Sequence, residues 1–440
     1  MKHGFLLGVL LAGCAVSPRN DETERLRLLP LPGAGDVDGL LRAPPSDPRL
    51  DETLATAPTL ENVQEIAVAR NPNLHAALER WVAFLERPDQ RLAPPAPRFR
   101  YQYQSMFKMM EWGAELSVPF PTKLATEARA ALADADAAGA GYRATENALR
   151  AEAASAYAAL YLARRRVEIV DENLALLARF VEVARTKYKA GTASLPDVLR
   201  VETERENLLA DREVLARDVE IATSSLDVLL DRTPEDPIGK LAPLPEPVPP
   251  GALPSLYERA LEQRPELDAA KARIASSELA ISRAHQEWVP DLALGTSYVR
   301  DFGTEHNFVD VTAGISLPWF FAPAVSARVR EAEADRRGAE AERRSARNMV
   351  LDEVKSSFAR VEAAVARYAR LKAEVVPRVR KNLEASEAAY AAGQVDFLSL
   401  IDTQRTLLSA LLEEERSLSE YTTRRAELER AVGGVSAEHR

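Results

Sequence analysis

The sequence predicts a mainly helical chain with a small β part, built twice over. Three observations carry this. A helical pattern of about seventy residues runs up to Tyr188, with apolar residues stepping by four and three without a break from Leu149, and another long helical pattern runs to Tyr390. Two short regions change to a period of two. Finally, the second half replays the first: Tyr188-x-x-Gly191 returns as Tyr390-x-x-Gly393, and Asn71-Pro72 as Arg264-Pro265.

The chain has 440 residues, with 57 basic and 67 acidic side chains and a net charge of −10, which argues against nucleic acid as a partner. Aromatics are only 6% and alanine is abundant, which suits long, thinly packed helices. Residues 1–13 read as a signal peptide, with Lys2 and His3 ahead of the apolar run Phe5–Leu11. Leu11-Ala12-Gly13-Cys14 resembles a bacterial lipobox, so the single cysteine, Cys14, is the expected lipidation site and Ala15 after it points to the outer membrane. One cysteine excludes an internal disulfide and a cysteine-based metal cluster. Residues 14–58, rich in Pro, Gly, Asp and Arg, are expected to be an extended tether.

The first repeat spans 59–232. A helical pattern from Thr59 to about Arg87, turning at Asn71-Pro72, leads into a strand pair over 98–118. There Phe99, Tyr101 and Tyr103 alternate with Arg98, Arg100 and Gln102, and Trp112, Ala114, Leu116 and Val118 with Glu111, Gly113, Glu115 and Ser117. This alternation fits a membrane barrel, and equally a sheet packed on helices. The long helix after Pro121 carries the seam Leu149, Ala153, Ala156, Leu160, Ala163, Val167, Val170, Leu174, Leu177, Val181, Ala184 and Tyr188. A return helix from Leu195 to about Asp231 offers the matching stripe Val201, Leu208, Leu215, Val219, Ala222, Leu226 and Leu229. The turn between them, near 189–197, has Gly191 for a left-handed helix end, Ser194 as a cap, and Pro196 and Asp197 in the next first turn.

A proline-rich joint over 233–252 separates the repeats. The second repeat, 253–434, has a strand pair over 291–317, a second long helix to Tyr390, a tip near 391–399 and a return helix from about Asp396 to Val432. Residues 435–440 form a tail.

This layout, from about Thr59 to Gly434, resembles the TolC-type outer-membrane efflux channels. The resemblance implies that three chains share a twelve-stranded outer-membrane barrel, four strands from each, while their helices form a periplasmic α-barrel. It implies a passive duct of a tripartite efflux or type I secretion system, in contact with a periplasmic adaptor, an inner-membrane pump and outer-membrane lipid. The tips Gly191, Thr192, Ala193, Ser194 and Leu195, with Gly393, Gln394, Val395, Asp396 and Phe397, would meet the adaptor. Asp197, Tyr390 and Asp402 match periplasmic gate positions, although Ser399 and Val395 depart from the pattern. Glu115–Leu124 is similar to the heavy-metal branch, with Thr122 where that branch has glycine, so heavy-metal ions or drugs are the expected cargo.

No phosphate loop, His-x-x-x-His or nucleophile elbow occurs, so no enzyme, cofactor or resident metal is expected. His75, His285, His306 and His439 lie far apart in sequence. Met106, Met109 and Met110 suit Cu(I) as thioethers, or an ordinary loop between strands. The competing class is a periplasmic adaptor lipoprotein, which has one coiled-coil hairpin between lipoyl-like domains, whereas this chain has two hairpins and few strands.

Overall fold

A computed structural model describes residues 48–434; the signal peptide, Cys14, most of the tether and the tail lie outside them. The helices are α1 (Pro48–Thr56), α2 (Leu60–Arg70), α3 (Pro72–Leu85), α4 (Arg87–Leu92), α5 (Pro121–Lys189), α6 (Leu195–Leu229), α7 (Leu253–Gln263), α8 (Pro265–Gln286), α9 (Ala322–Arg370), α10 (Val376–Ala391) and α11 (Phe397–Ala431). Strands β1 (Arg98–Gln104), β2 (Met109–Val118), β3 (Leu292–Asp301) and β4 (Asn307–Ile315) complete the chain. Two compact units divide it. One is formed by Glu79–Gly139 with Ala269–Arg343, the other by the remaining described residues.

The first unit holds one antiparallel sheet of order β1-β2-β3-β4. Lys123, almost fully buried at the start of α5, fastens its base: Nζ donates to Val289 O at 2.8 Å and to Asp291 Oδ1 at 2.6 Å. Asp291 also accepts from Phe120 N at 3.1 Å, so one carboxylate ties the ends of β2 and β3 to a buried ammonium. Alongside, α8 binds the first turns of α5 through Arg283–Glu127 at 2.6 Å and Ser276–Asp134 at 2.9 Å. Gly139 admits the Trp81 ring, since a Cβ there would stand 2.9 Å from it.

In the second unit buried apolar side chains gather in three clusters. One gathers α2, the middle of α5 and the end of α6 around Tyr157, Ile66 and Leu226. Its counterpart gathers α7, α9 and the end of α11 around Ala260, Val354 and Tyr421. The third joins both hairpins near their turns. The predicted seam is buried or half-buried from Leu149 to Ala184, and only Tyr188 departs, being exposed beside the turn. Ion pairs Arg212–Asp171 at 2.5 Å and Arg185–Glu202 at 2.6 Å edge the α5–α6 pairing.

The replay at Asn71 and Arg264 has a physical meaning. Asn71 is buried, donates from Nδ2 to Leu229 O at 3.0 Å, and accepts the N–H of Asn73 at 3.0 Å. It therefore caps the start of α3 and the end of α6 together. Arg264, equally buried, donates from Nη1 to Arg430 O at 3.2 Å, the corresponding end of α11. Its charge is met by Glu266 at 2.7 Å and Glu353 at 2.5 Å. Different chemistry closes the same joint in the two repeats.

Two expectations change. The tether does not stay extended to Pro58: α1 sends Leu54 into the core at 0% exposure, and the proline-rich joint runs against it, with Gly239 N on Leu54 O at 2.9 Å and Ala242 N on Pro58 O at 3.1 Å. One leucine and a partner segment about 185 residues away are invisible to local periodicity. The second long helix is not regular either. A π turn, Leu371–Val375, separates α9 from α10, with Val376 N bonding Leu371 O. Pro377 has no N–H to give its preceding turn and its ring crowds the carbonyl there, so the helix accommodates it with a wider turn.

Candidate functional site

The sheet has two chemically distinct faces. Pairing Tyr101 with Trp112, Trp112 with Tyr298, and Tyr298 with Val309 puts these side chains on one face, together with Phe99, Leu116, Leu294, Val311 and Ile315. Tyr101 and Trp112 meet edge to face at 6.3 Å. The opposite face carries Arg98, Arg100, Glu111, Glu115, Ser117, Ser297, Asp310 and Thr312, with Gly113, Gly295 and Gly314 between them. Arg100 and Glu115 form an exposed pair across it at 3.4 Å. The segregation reverses beside the turns, where Arg300 and Asn307 join the apolar face and Met109, Val299 and Phe308 the polar one, and Thr296 interrupts the apolar face at mid-strand. Every residue of β1 and β4 is exposed, and each leaves one edge unpaired within the chain. Beyond β4, Trp319, Phe320 and Phe321 stand exposed in a 3₁₀ turn, Pro318–Phe321.

The methionine cluster dissolves on this sheet. Met109 and Met110 are neighbours in β2 and so point to opposite faces, while Met106 stands 86% exposed in the turn. Three thioethers do not converge, and among the described residues no group of His, Cys, Asp and Glu is arranged to hold a metal ion.

Both tips of the second unit are built as expected, with an exchange. Gly191 and Gly393 adopt φ of +74° and +72°. Each glycine turn is closed by a six-to-one bond, Thr192 N to Lys187 O at 2.9 Å and Gln394 N to Ala389 O at 2.8 Å. Three residues on, Ser194 caps α6, and its N–H and hydroxyl are held by Asp197 Oδ2 at 3.0 and 2.7 Å. The second tip has the pair in reverse: Asp396 caps α11 and accepts from Ser399 N at 3.0 Å and Ser399 Oγ at 2.5 Å. These bonds hold the Asp396 carboxyl below the usual carboxylate range. Asp197 and Ser399 thus occupy corresponding positions as halves of one capping device.

Tyr390 is buried, edge to face with Phe397 at 5.3 Å, and its hydroxyl has no hydrogen-bond partner within the described residues. Burial, with the Asp197 charge nearby, pushes that hydroxyl's pKa up. Lys187 crosses from the other hairpin, 4.3 Å above the ring, and donates to Tyr390 O at 2.5 Å and Ala391 O at 3.3 Å. An ammonium therefore closes the last carbonyls of α10, where the helix dipole is negative. Asp402 stands apart. It is exposed, with Arg405 Nη1 at 3.8 Å, while Arg405 makes a two-pronged bond to Glu204, including Nε to Oε1 at 2.8 Å. The guanidinium holds the Glu204 carboxyl below its ordinary value.

Sequence reading singled out Tyr390, Asp197 and Asp402 and did not see the groups that join the hairpins: Lys187, Glu204, Arg405 and the buried pair Gln404–Asn173, at 3.1 Å. Gln404 was detectable, being the polar step in the apolar stripe Phe397, Leu400, Ile401, Leu407. Lys187 was not, since its role depends on a carbonyl two hundred residues away.

A model of the family described as outer membrane efflux protein matches residues 256–434. The cobalt-zinc-cadmium resistance protein CzcC of Cupriavidus metallidurans is 23% identical over 361 residues, 80% of this chain and 84% of that one. The outer membrane protein TolC of Vibrio cholerae is 24% identical over 310 residues, 67% of this chain and 70% of its own. The solved structure of CusC, described as a transmembrane channel, shares the fold with a TM-score of 0.73 at 16% identity, covering 87% of this chain and 94% of its own.

Proposed function

We propose that this chain belongs to the outer membrane efflux protein family and is the passive exit duct of a tripartite export system. The observation that carries this reading is the segregated four-stranded sheet with two open edges. An apolar face needs lipid, yet an unpaired strand edge in lipid leaves its backbone groups unsatisfied. Three copies arranged in a ring pair every edge and close a twelve-stranded barrel, apolar outward and polar toward the lumen. The exposed aromatics Trp319, Phe320 and Phe321 suit the height of the lipid headgroups. Cys14, carrying lipid, adds a second anchor.

The two tips serve as the landing surface for a periplasmic adaptor that brings the inner-membrane pump, through Gly191 to Leu195 and Gly393 to Phe397. Asp197, Tyr390 and Asp402 form the periplasmic gate. In that gate the exposed Asp402 supplies charge, Asp197 mainly shapes the tip it caps, and Tyr390 offers a hydroxyl without a partner in its own chain. Metal ions are the cargo favoured by the likeness to CzcC.

Native mass spectrometry in mild detergent, together with conductance across a planar bilayer, tests the proposal. Trimers and stepwise channel currents are expected. A stable monomer that carries no current refutes it.

A further inference from the structure

We infer that the second long helix holds one residue more than its packing uses, and that the π turn storing this residue is a bending point given to one hairpin and not to the other. The seams show the extra residue. On α5, Ala153, Leu160, Val167, Leu174 and Val181 follow one another at intervals of seven and lead to Tyr188 at the turn. On the second long helix Val354, Val361 and Tyr368 are buried at the same interval, and so are Val376, Leu383 and Tyr390. Between Tyr368 and Val376, however, the step is eight. Six matching positions thus span 35 residues in the first hairpin (153 to 188) and 36 in the second (354 to 390).

The one long step contains the whole π turn, Leu371–Val375. In a regular α-helix a surplus residue would swing everything after it by about 100° and carry Leu383 and Tyr390 off their partner helix. A turn closed five residues back, Val376 N to Leu371 O, takes up that residue and returns the seam to α11. Both halves therefore stay packed: Val354 and Val361 in the cluster around Tyr421, Leu383 and Tyr390 in the one near the turns. Pro377 explains why the wide turn sits directly before α10. It does not explain why the seam is one residue out of step.

The level of the turn is also thinly held. From 369 to 375 no residue is buried, whereas α5 buries Ile169, Val170 and Asn173 between Val167 and Leu174. Residues 411–416 of α11, which pass this level where Glu413 pairs with Arg367, bury nothing either. Lys372 reaches Glu246 of the proline-rich joint at 2.5 Å, but both side chains are exposed and such a pair holds weakly. A widened turn with few buried contacts is where a helix kinks and opens first. The first hairpin is a stiff strut and the second a jointed one. This bending point belongs to the single chain and needs no assembly.

Deletion of Ala373, exposed in the π turn, tests the inference in the full chain in detergent. It is made together with Pro377→Ala, because the proline ring would crowd a regular helix. Pro377→Ala alone and deletion of Glu172, exposed at the matching level of α5, are the controls. In the unaltered chain, hydrogen exchange over 369–376 should run about tenfold faster than over 168–174. Pro377→Ala alone should keep that fast exchange, and the added deletion should remove it without lowering the Tm. Deletion of Glu172 should lower the Tm, because it throws an unbroken seam out of step. Equal exchange in the two segments of the unaltered chain would mean that the turn is no bending point. Slow exchange in Pro377→Ala alone would assign the wide turn to the proline, and equal Tm losses from the two deletions would show that no residue is surplus; either result overturns the inference.

Discussion

Val311 and Thr312 are adjacent at the middle of β4, yet the sheet turns them to opposite faces. Val311 is 81% exposed and aligned with Thr296, whereas Thr312 is aligned with Gly295, whose missing side chain leaves room beside it. An arginine at each site changes the same strand by the same atoms and differs only in what surrounds it. At a lipid-facing site near the bilayer midplane the substitution costs about 2–4 kcal/mol per chain, or roughly 30- to 700-fold in the folded fraction. On a water-filled lumen the cost is expected to fall below about 1 kcal/mol, because the guanidinium keeps its hydration and Asp310 lies on the same face. Urea unfolding of protein refolded into vesicles measures both. Val311→Arg should lower stability by at least about 1 kcal/mol more than Thr312→Arg, and salt should not restore it. Equal losses, or a larger loss at Thr312, would mean that the apolar face does not meet lipid, and the barrel argument would fail.

Four further outcomes follow from other parts of the chain. Asp227 is fully buried beside Arg232 at 3.1 Å, and burial raises its carboxyl pKa to about 6. A raised acid favours the fold below the unfolded value near 4 and loses that contribution as pH climbs through about 6. Asp227→Asn should therefore gain about 3 kcal/mol on the unaltered chain between pH 4 and pH 7; a difference that does not change with pH in thermal melts excludes this. At the tips, Asp402→Asn should reduce cation preference in reversal-potential measurements, and Tyr390→Phe should raise resting conductance, because the hydroxyl has no partner among the described residues and in the proposed ring would bond a neighbouring copy. Unchanged currents and selectivity in both would move the constriction elsewhere. At the N-terminus, fatty-acid labelling should disappear in Cys14→Ser, and a mature end mapped beyond Cys14 would defeat that assignment.

The long helices, their seams, both glycine turns and both strand pairs were readable because each is a local pattern repeated many times. Periodicity over Leu149–Ala184 needs no knowledge of the partner. Contacts between the repeats were not readable, because each rests on a single side chain and one distant backbone atom. Lys187 looks like any basic residue at a helix end, and it is the Tyr390 carbonyl that gives it a task. The π turn lies between these cases. Pro377 announces a disturbance, but whether a helix breaks, kinks or widens is decided by its packing, here with Val376 and Leu383 buried on either side.

The joint closed by Asn71 in one repeat and Arg264 in the other has a consequence for how such a chain can change. Asparagine is self-sufficient there: neutral and satisfied by backbone alone. Arginine is not, because Glu353 answers both Arg264 and Arg430, and Glu266 answers Arg264 again. Once the arginine is present, its carboxylates become hard to lose singly, and reverting it alone leaves Glu353 and Glu266 facing one another with less positive charge between them. The two corners therefore have unequal freedom. The first can change through neutral polar residues one at a time, while the second is locked into a set that must change together.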